Sequence, residues 1–208
     1  MERLIIILSI ALCALALPCP ANEAPDIASI EASLTKLESF EAAFVQRTKY
    51  KIMSSELRTE GVIYLQRQPF LLAWHLRSPI VYSAVMDTAT LRQYDGDSGK
   101  IDTIKMSRNP VLHAVSEVYR AILLGNLKKF EEDCLFKLDA PGMKLEMLPK
   151  EGTELDRFIK SLKFEFATEF RYVSCIEVLE AGGNLTRIEF SSVKINERLP
   201  DDAWKLGK

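Results

Sequence analysis

Short segments that alternate between apolar and polar residues follow one another along most of this chain, with turn residues between them. The segments cover residues 45–53, 57–67, 70–77, 80–87, 90–95, 100–106, 133–138, 143–148, 159–167, 172–180 and 185–193. A period of two residues is the pattern of a half-buried β-strand. Because short turns join most of the segments, consecutive strands are expected to pair antiparallel. The sequence therefore predicts about eleven antiparallel strands.

The turns and one glycine indicate the shape of this sheet. Residues 95–99, 141–142 and 182–184 have turn chemistry, whereas Gly61 lies inside the second segment. A glycine at such a place predicts a bulge or a sharp bend. Because a large open sheet curls to bury one face and to hide its edges, we expect a half-open barrel or a strongly bent sheet.

Two amphipathic helices are predicted beside the strands. The first follows a candidate N-cap, Asp26, and its apolar residues at helical spacing are Ile27, Ile30, Leu34, Leu37 and Phe44. The second begins at Asn109 and Pro110 and ends at Gly125, and its apolar face comprises Val111, Val115, Val118, Tyr119 and Ile122. The expected fold class is α+β, a half-open antiparallel barrel whose helices form a lid over a hydrophobic cavity.

The first 21 residues have the composition of a secretory signal peptide. Arg3 supplies a positive charge, and residues 4–17 are apolar apart from Ser9. We predict cleavage before Asn22, a single domain over residues 22–208 and a location in the periplasm.

Two other outcomes for the N-terminal segment stay open. In one, the segment is retained as a membrane anchor, although its apolar run is shorter than the roughly 20 residues that span a bilayer. In the other, Cys19 carries a lipid, although Pro18 stands where lipoprotein signals have a small residue. After cleavage only Cys134 and Cys175 remain, and the sequence allows either a disulfide or two buried thiols.

Charge and motif content exclude several classes of function. The chain has 27 Lys and Arg against 29 Asp and Glu, so binding to nucleic acid is not expected. Residues 96–99 read Gly-Asp-Ser-Gly, but their surroundings complete neither a protease nucleophile motif nor a calcium loop. His75 and His113 lack the spacing of metal ligands and are expected to be structural. We therefore predict no catalytic residue, no metal and no cofactor.

The segment around Trp74 carries the clearest apolar face. Phe70, Leu72, Trp74 and Leu76 occupy alternate positions, and the intervening set ends in histidine and arginine. We assign the apolar set to the concave side of the sheet. An ordinary packed core without space for a ligand is the alternative that periodicity leaves open.

Several short motifs occur in a fixed order along the chain. They are Phe44, Val45 and Gln46 at the end of the predicted first helix, the spacing of Pro69, Trp74 and Pro79, residues 91–95 ending in Tyr-Asp, and residues 145–150 ending in Pro-Lys. Taken together, they resemble the outer-membrane lipoprotein carrier family of LolA-like proteins over essentially the whole mature chain. The resemblance implies a non-enzymatic carrier that takes acyl chains from an inner-membrane transporter to an outer-membrane receptor. We expect it to be a monomer.

The same resemblance assigns candidate lipid-binding residues. In that family the strand with the tryptophan lines the cavity, and here this strand carries Phe70, Leu72 and Trp74. The first helix is expected to add Leu34, Leu37 and Phe44, and the second helix is expected to add Val115, Tyr119 and Ile122 as a lid.

One position departs from the family pattern. The family has an arginine immediately before the first of these prolines, and this arginine is similar to a latch that ties the lid to the barrel. Here Gln68 stands at that position and Arg67 stands one residue earlier. On a strand, a shift of one residue turns a side chain to the opposite face. We therefore expect the latch to be remodelled by a local bulge or to be absent. This departure leaves open whether the cargo is a lipoprotein or another envelope lipid or lipid-linked product.

Two other functions compete with that of a periplasmic carrier. A membrane-anchored LolB-like receptor, or a protein-binding scaffold of the envelope, would use the same sheet while Cys19 holds it at a membrane. An enzyme that acts on an envelope lipid would need a nucleophile and a base, and the sequence identifies neither.

Overall fold

The computed structural model describes residues 26–207, without the side chains of residues 110–112, 114 and 115. The predicted signal peptide, residues 1–21, lies outside the described residues. The described part of the chain contains eleven β-strands and two α-helices, which confirms the expected α+β class. No helix within residues 26–207 combines the length and the apolar character needed to cross a bilayer.

The strands of the described part form one antiparallel sheet that does not close. They are β1 (Ser39–Lys49), β2 (Glu56–Gln66), β3 (Leu71–Ser78), β4 (Tyr82–Met86), β5 (Thr90–Asp95), β6 (Lys100–Lys105), β7 (Cys134–Asp139), β8 (Lys144–Pro149), β9 (Ile159–Phe166), β10 (Val173–Glu180) and β11 (Leu185–Ile195). Their order across the sheet is β6-β5-β4-β3-β2-β1-β11-β10-β9-β8-β7. Each strand lies beside a neighbour in sequence, and the pairing of β1 with β11 joins the two halves. This is the open barrel that the sequence predicts.

The connection from β6 to β7 carries the second helix, α2 (Pro110–Leu124). Because β6 and β7 are opposite edges of the sheet, the helix must cross from one edge to the other. Val118, Ile122 and Leu123 are buried in the main core cluster with residues of the sheet. Gly125 follows the helix with a φ of 69°, the left-handed conformation that ends many helices. The predicted bounds of this helix are confirmed.

The first helix, α1 (Ile27–Leu34), begins at a capping box. Asp26 accepts a hydrogen bond from the backbone N–H of Ser29 at 2.8 Å, and this bond holds the pKa of the Asp26 carboxyl below its usual range. Ile30 and Leu34 are fully buried against the barrel. The predicted N-cap is therefore confirmed.

The prediction that this helix continues through Leu37 to Phe44 is wrong. Leu37 follows the helix, and Phe44 lies in β1. Phe40, Ala42 and Phe44 are buried, while the residues between them are less buried. The two-residue period therefore begins before residue 45, the predicted start of this strand. It favours a strand because alternate residues face the core.

Gly61 lies where β2 passes β1 and β3 at close range. The pairing of β2 with β3 shifts register between Glu60 and Gly61, which confirms the predicted irregularity. A Cβ atom at Gly61 would lie 1.9 Å from the backbone oxygen of His75 and 2.8 Å from Cζ of Phe44. Only glycine fits here without moving the backbone.

The C-terminal segment, residues 196–207, covers the outer face of β2, β3 and β4. The cluster on this face comprises Tyr64, Ala73, Val85 and Ala203, with Val62, Leu199, Trp204 and Leu206 packed against it. His75 is 1% exposed, and its ring nitrogens lie 3.0 Å from Oγ of Ser83 and 2.8 Å from the carbonyl oxygen of Ala203. His75 therefore ties the C-terminal segment to the sheet.

Cys134 and Cys175 are free and buried. Cys134 begins β7 and Cys175 lies in β10, with β8 and β9 between these strands. Neighbouring strands are about 4.8 Å apart, so three strand spacings exceed the roughly 7 Å limit for a disulfide. Of the two alternatives that the sequence allows, the structure contains the two buried thiols.

Candidate functional site

A cavity of about 410 Å³ lies between α2 and the concave face of the sheet. The apolar residues that line it are Val118, Ile122, Phe158, Ile159, Leu162, Phe164, Ile176, Val178 and Ile188, and the polar ones are Gln46, Tyr119, Glu180 and Thr186. This volume is in the range of small-molecule sites, which are mostly apolar with a few polar groups. The cavity is the part of the described structure that suits an apolar ligand best.

Cross-strand pairs of apolar residues build the floor of the cavity. In the pairing of β9 with β10, Leu162 lies opposite Val178, and Phe164 lies opposite Ile176. In the next pairing, Ile176 lies opposite Ile188 of β11. Residues directly opposite each other in an antiparallel pair share a face. The alternation in these strands therefore places a continuous apolar surface under α2.

The roof of the cavity comes from α2. Ile122 lies four positions after Val118 and three after Tyr119, so it shares a face of the helix with each of them. Burial raises the pKa of the Tyr119 hydroxyl above its ordinary value, and the Glu180 carboxylate adds to this shift. Of the predicted lid residues, Tyr119 and Ile122 line the cavity, and the side chain of Val115 lies outside the described residues.

The other predicted lipid-binding residues lie in the packed half of the barrel. Leu34, Leu37, Phe44, Phe70 and Leu72 are buried in the core cluster, and Trp74 packs against it. The Trp74 ring lies 4.4 Å from the Phe44 ring and 6.4 Å from the Phe190 ring, measured between centroids. None of these side chains lines the cavity in this conformation.

Arg67 lies just beyond β2 and binds the ends of both helices. Its Nη2 lies 2.7 Å from the carbonyl oxygen of Leu34 and 3.2 Å from that of Leu124, and its Nε lies 2.7 Å from that of Leu37. The alternation of side chains along a strand does not determine the direction of Arg67, because β2 ends before it and a turn follows. Gln68 is exposed, and its backbone oxygen accepts a hydrogen bond from Gln66.

The outer face of the strands that form the cavity has a different character. Nη2 of Arg187 lies 3.3 Å from Oε1 of Glu165, and its Nη1 lies 3.7 Å from Oε2 of Glu177. Nζ of Lys163 lies 3.2 Å from Oε1 of Glu177. Exposed ion pairs of this kind each stabilise a fold by less than about 1 kcal/mol, but they keep a surface hydrated. An apolar ligand therefore fits the concave side of these strands and not the convex side.

The sequence predicts the strands that form the floor of the cavity, but it does not predict that they line a cavity. Their alternation was visible in residues 159–167 and 172–180, but it looked the same as that of an ordinary core. Glu180 carried a weak signal, because this carboxylate follows Ile176 and Val178 on the apolar side of its strand. Whether helix and sheet leave a gap depends on their separation, which periodicity does not encode.

Comparison with known proteins agrees with the resemblance carried by the sequence motifs. Residues 35–206 match the family model described as outer membrane lipoprotein carrier protein LolA. The outer-membrane lipoprotein carrier proteins of Pseudomonas fluorescens and Pseudomonas putida are each 24% identical to this chain, and the matches cover 87% of this chain and 83% of each relative.

Solved structures share the fold. The crystal structure of MucB matches 90% of this chain with a TM-score of 0.51 at 11% identity, and this chain covers 64% of it. In the Pseudomonas aeruginosa MucA/MucB complex the match covers 86% of this chain and 59% of the other, with a TM-score of 0.50 at 11% identity. This chain thus spans less than two thirds of those chains, and the likeness concerns the fold alone.

Proposed function

Because this chain belongs to the LolA family of outer membrane lipoprotein carrier proteins, we propose that it binds the acyl chains of a lipoprotein or another envelope lipid. We further propose that it carries this cargo through the periplasm toward the outer membrane, from an inner-membrane transporter to an outer-membrane receptor. The observation that supports the proposal most is the apolar cavity of about 410 Å³ between α2 and strands β9 to β11.

Hydrophobic energetics explain why such a carrier is needed. Each methylene group that moves from water into an apolar site stabilises the complex by about 0.8 kcal/mol. A lipid chain would otherwise stay in its membrane or aggregate. Leu162, Ile176 and Ile188 offer a suitable surface because they are buried, apolar and next to open space.

Release of the cargo requires the lid to move. In the proposed mechanism, α1 and α2 separate from the sheet when the hydrogen bonds of Arg67 to Leu34 and Leu124 break. Hydrogen bonds to a charged group each contribute about 1.5 to 3 kcal/mol, so a partner that offers comparable contacts can shift the equilibrium. Movement of α2 would extend the apolar surface toward Leu72 and Trp74, which gives the predicted cargo residues a role in the open state.

This role needs no catalytic step, and we propose that the protein is not an enzyme. Within residues 26–207, no group of three or more His, Cys, Asp or Glu side chains is placed to hold a metal ion. The polar residues of the cavity are suited to orienting an amphiphile.

Native mass spectrometry of protein isolated gently from its own host tests the proposal. We expect one amphiphile per chain, with acyl fragments on dissociation. Val178→Phe should fill the cavity and remove the ligand. The control is Val45→Phe, because Val45 lies opposite Glu189 on the outer side of β1, and this variant should retain the ligand. Absence of any bound amphiphile, together with no uptake of an added acyl probe, would overturn the proposal.

A membrane-anchored receptor or protein-binding component is the second candidate. MucB, which shares this fold, has been solved in complex with MucA, so a protein partner is a reasonable alternative to a lipid. Mass spectrometry of the mature N-terminus separates the two candidates. An acylated Cys19 favours the anchored receptor, whereas a free N-terminus at Asn22 favours the soluble carrier.

A further inference from the structure

The end of the cavity where Glu180 lies opposite Ile159 brings polar residues together with apolar ones, and we call this end the mouth. Glu180 ends β10 at this mouth, and Thr186 lies near the start of β11. Gln46 lies on β1 beside them, and Tyr119 faces them from α2. We propose that this mouth is a headgroup subsite that selects amphiphiles whose polar end donates hydrogen bonds and carries no negative charge. The inference rests on the proposed function, because it assumes that an acyl chain occupies the floor.

Glu180 is the only charged residue that lines the cavity in the described part of the chain. Its Oε2 accepts a hydrogen bond from Nδ2 of Asn184 at 2.7 Å. Within residues 26–207 no lysine or arginine pairs with it, whereas Glu177 on the same strand is paired with Lys163 and Arg187. A half-buried carboxylate without a cation therefore faces the space where a headgroup would lie.

Uncharged polar groups continue this surface along β1, β2 and β11. Nε2 of Gln46 lies 3.3 Å from Oγ1 of Thr48, and this oxygen lies 3.1 Å from Oγ1 of Thr186. Thr59 lies directly opposite Gln46 in β2. Its Oγ1 is buried and has no hydrogen-bond partner among the described residues. A buried hydroxyl without a partner is uncommon in folded proteins, and Thr59 extends the polar surface beyond the residues that line the cavity.

Tyr119 completes the subsite from the lid. Its side chain is half-buried and lines the cavity. A phenol can donate or accept, so it can bind an ester, amide or hydroxyl oxygen of a ligand. Glu180 can only accept, so it favours hydroxyl or amine groups.

An anionic headgroup is disfavoured at this mouth by electrostatics. A phosphate would lie a few ångströms from the Glu180 carboxylate in a partly dehydrated site, where like charges repel more strongly than in water. Glu180 thus repels the headgroup of an anionic phospholipid and accepts hydrogen bonds from a neutral acylglycerol-type headgroup. Specificity often combines a repulsive and an attractive element in this way.

Competition between amphiphiles with the same acyl chain tests this inference. The probes are 1-monolauroylglycerol, which is neutral and bears hydroxyl groups, and lauryl phosphate, which is anionic. Each displaces the neutral fluorophore N-phenyl-1-naphthylamine from the intact mature protein. We expect the glycerol compound to bind at least about tenfold more tightly, with the preference decreasing as salt is added.

Three variants test which side chains set the preference for the neutral probe over the anionic one. Glu180→Gln should strengthen the binding of lauryl phosphate about tenfold and change that of 1-monolauroylglycerol by less than about twofold. Tyr119→Phe should weaken the glycerol compound about fivefold. Glu177→Gln is the matched control on the outer face of β10, and it should leave the preference unchanged.

The outcomes separate this inference from the proposed function. If both probes displace the fluorophore equally in the native protein, or if Glu180→Gln leaves the preference unchanged, the subsite is refuted while the acyl cavity stands. If neither probe nor fluorophore binds, the proposed function fails instead. Should Glu180→Gln not fold, the salt dependence of the native protein decides, because a preference insensitive to salt contradicts the role of a charged residue.

Discussion

The guanidinium Nη2 of Arg67 lies 2.7 Å from the carbonyl oxygen of Leu34, the last residue of α1. The same nitrogen lies 3.2 Å from the carbonyl oxygen of Leu124, which is the last residue of α2. Carbonyl groups at a helix C-terminus lack partners within the helix and carry partial negative charge. One cation therefore stabilises the ends of both helices and holds them against the turn after β2.

Replacement of Arg67 by methionine should loosen this arrangement. The variant keeps much of the apolar stem but loses the Arg67 hydrogen bonds to the carbonyl groups of Leu34, Leu37 and Leu124, so we expect a loss of about 2 to 4 kcal/mol in the free energy of unfolding. Urea denaturation followed by circular dichroism measures it. Arg58→Met is the control, because the Arg58 side chain is 55% exposed in its ion pair with Glu60. Equal stability of the two variants would refute the claim that Arg67 stabilises the ends of the two helices.

Replacement of Gly61 by alanine should be among the most damaging single changes. The new Cβ would overlap the backbone oxygen of His75 at 1.9 Å, so β2 and β3 would have to separate. We expect a loss of more than about 3 kcal/mol. Gly182→Ala is the matched control, since nothing lies within 4 Å of a Cβ there, and its effect should stay within about 0.5 kcal/mol. Similar melting temperatures for both variants would contradict the close approach.

The two cysteines should be unreactive in the folded protein. Burial raises the pKa of both the Cys134 and the Cys175 thiol from 9.0 to about 11, and the thiolate is the reactive form. Iodoacetamide at pH 8 should label them only after unfolding, as mass spectrometry would detect. Rapid labelling of the native protein would contradict the burial.

The same pKa shift predicts how stability depends on pH. An unfolded thiol loses its proton near pH 9, whereas the folded thiols stay protonated until about pH 11. The unfolded state therefore binds fewer protons between these values, and the contribution of the cysteines to stability decreases as the pH rises. Replacing both Cys134 and Cys175 by alanine should reduce this alkaline loss in urea titrations at pH 8 and pH 10.5. An unchanged alkaline loss would refute the linkage.

Replacement of the buried His75 can be compared with replacement of the exposed His113. His75→Leu removes the ring that bonds Ser83 and the Ala203 carbonyl, so the carbonyl loses this partner and Ser83 Oγ keeps only the Gly207 N–H at 3.3 Å. We expect a cost of about 1 to 3 kcal/mol. The C-terminal segment should then become accessible to carboxypeptidase. His113→Leu, at an exposed position of α2, should leave digestion unchanged. Protection of the segment in His75→Leu would show that its apolar contacts suffice.

Much of the fold could be predicted because its strands expose one face and bury the other. The alternation predicts all eleven strands of the described chain, and Gly61 indicates the irregularity that the register shift shows. The error at the first helix has a specific cause. Leu37 and Phe44 continue the helical spacing from Leu34, while Phe40, Ala42 and Phe44 also fit a period of two. Tertiary pairing with β2 and β11 decides between these periods.

The site was harder to predict for two physical reasons. Strand parity suggested that Arg67 and a family latch point to opposite faces, but Arg67 lies beyond the end of β2, where a turn redirects the side chain. The apolar face around Trp74 was located correctly on the concave side, yet its neighbours Phe44 and Phe190 fill the adjacent space. The cavity lies beside Ile176 instead, because α2 stands away from that part of the sheet.

Photocrosslinking with a fatty acid that carries a diazirine near the end of its chain tests the central claim most directly. After irradiation of the loaded protein, peptide mass spectrometry locates the labelled residues. We predict saturable labelling of α2 and of β9 and β10, around Ile122, Leu162 and Ile176, and loss of this labelling in Val178→Phe. Labelling confined to exposed apolar residues such as Ile52 and Leu135, unchanged by Val178→Phe, would contradict the account.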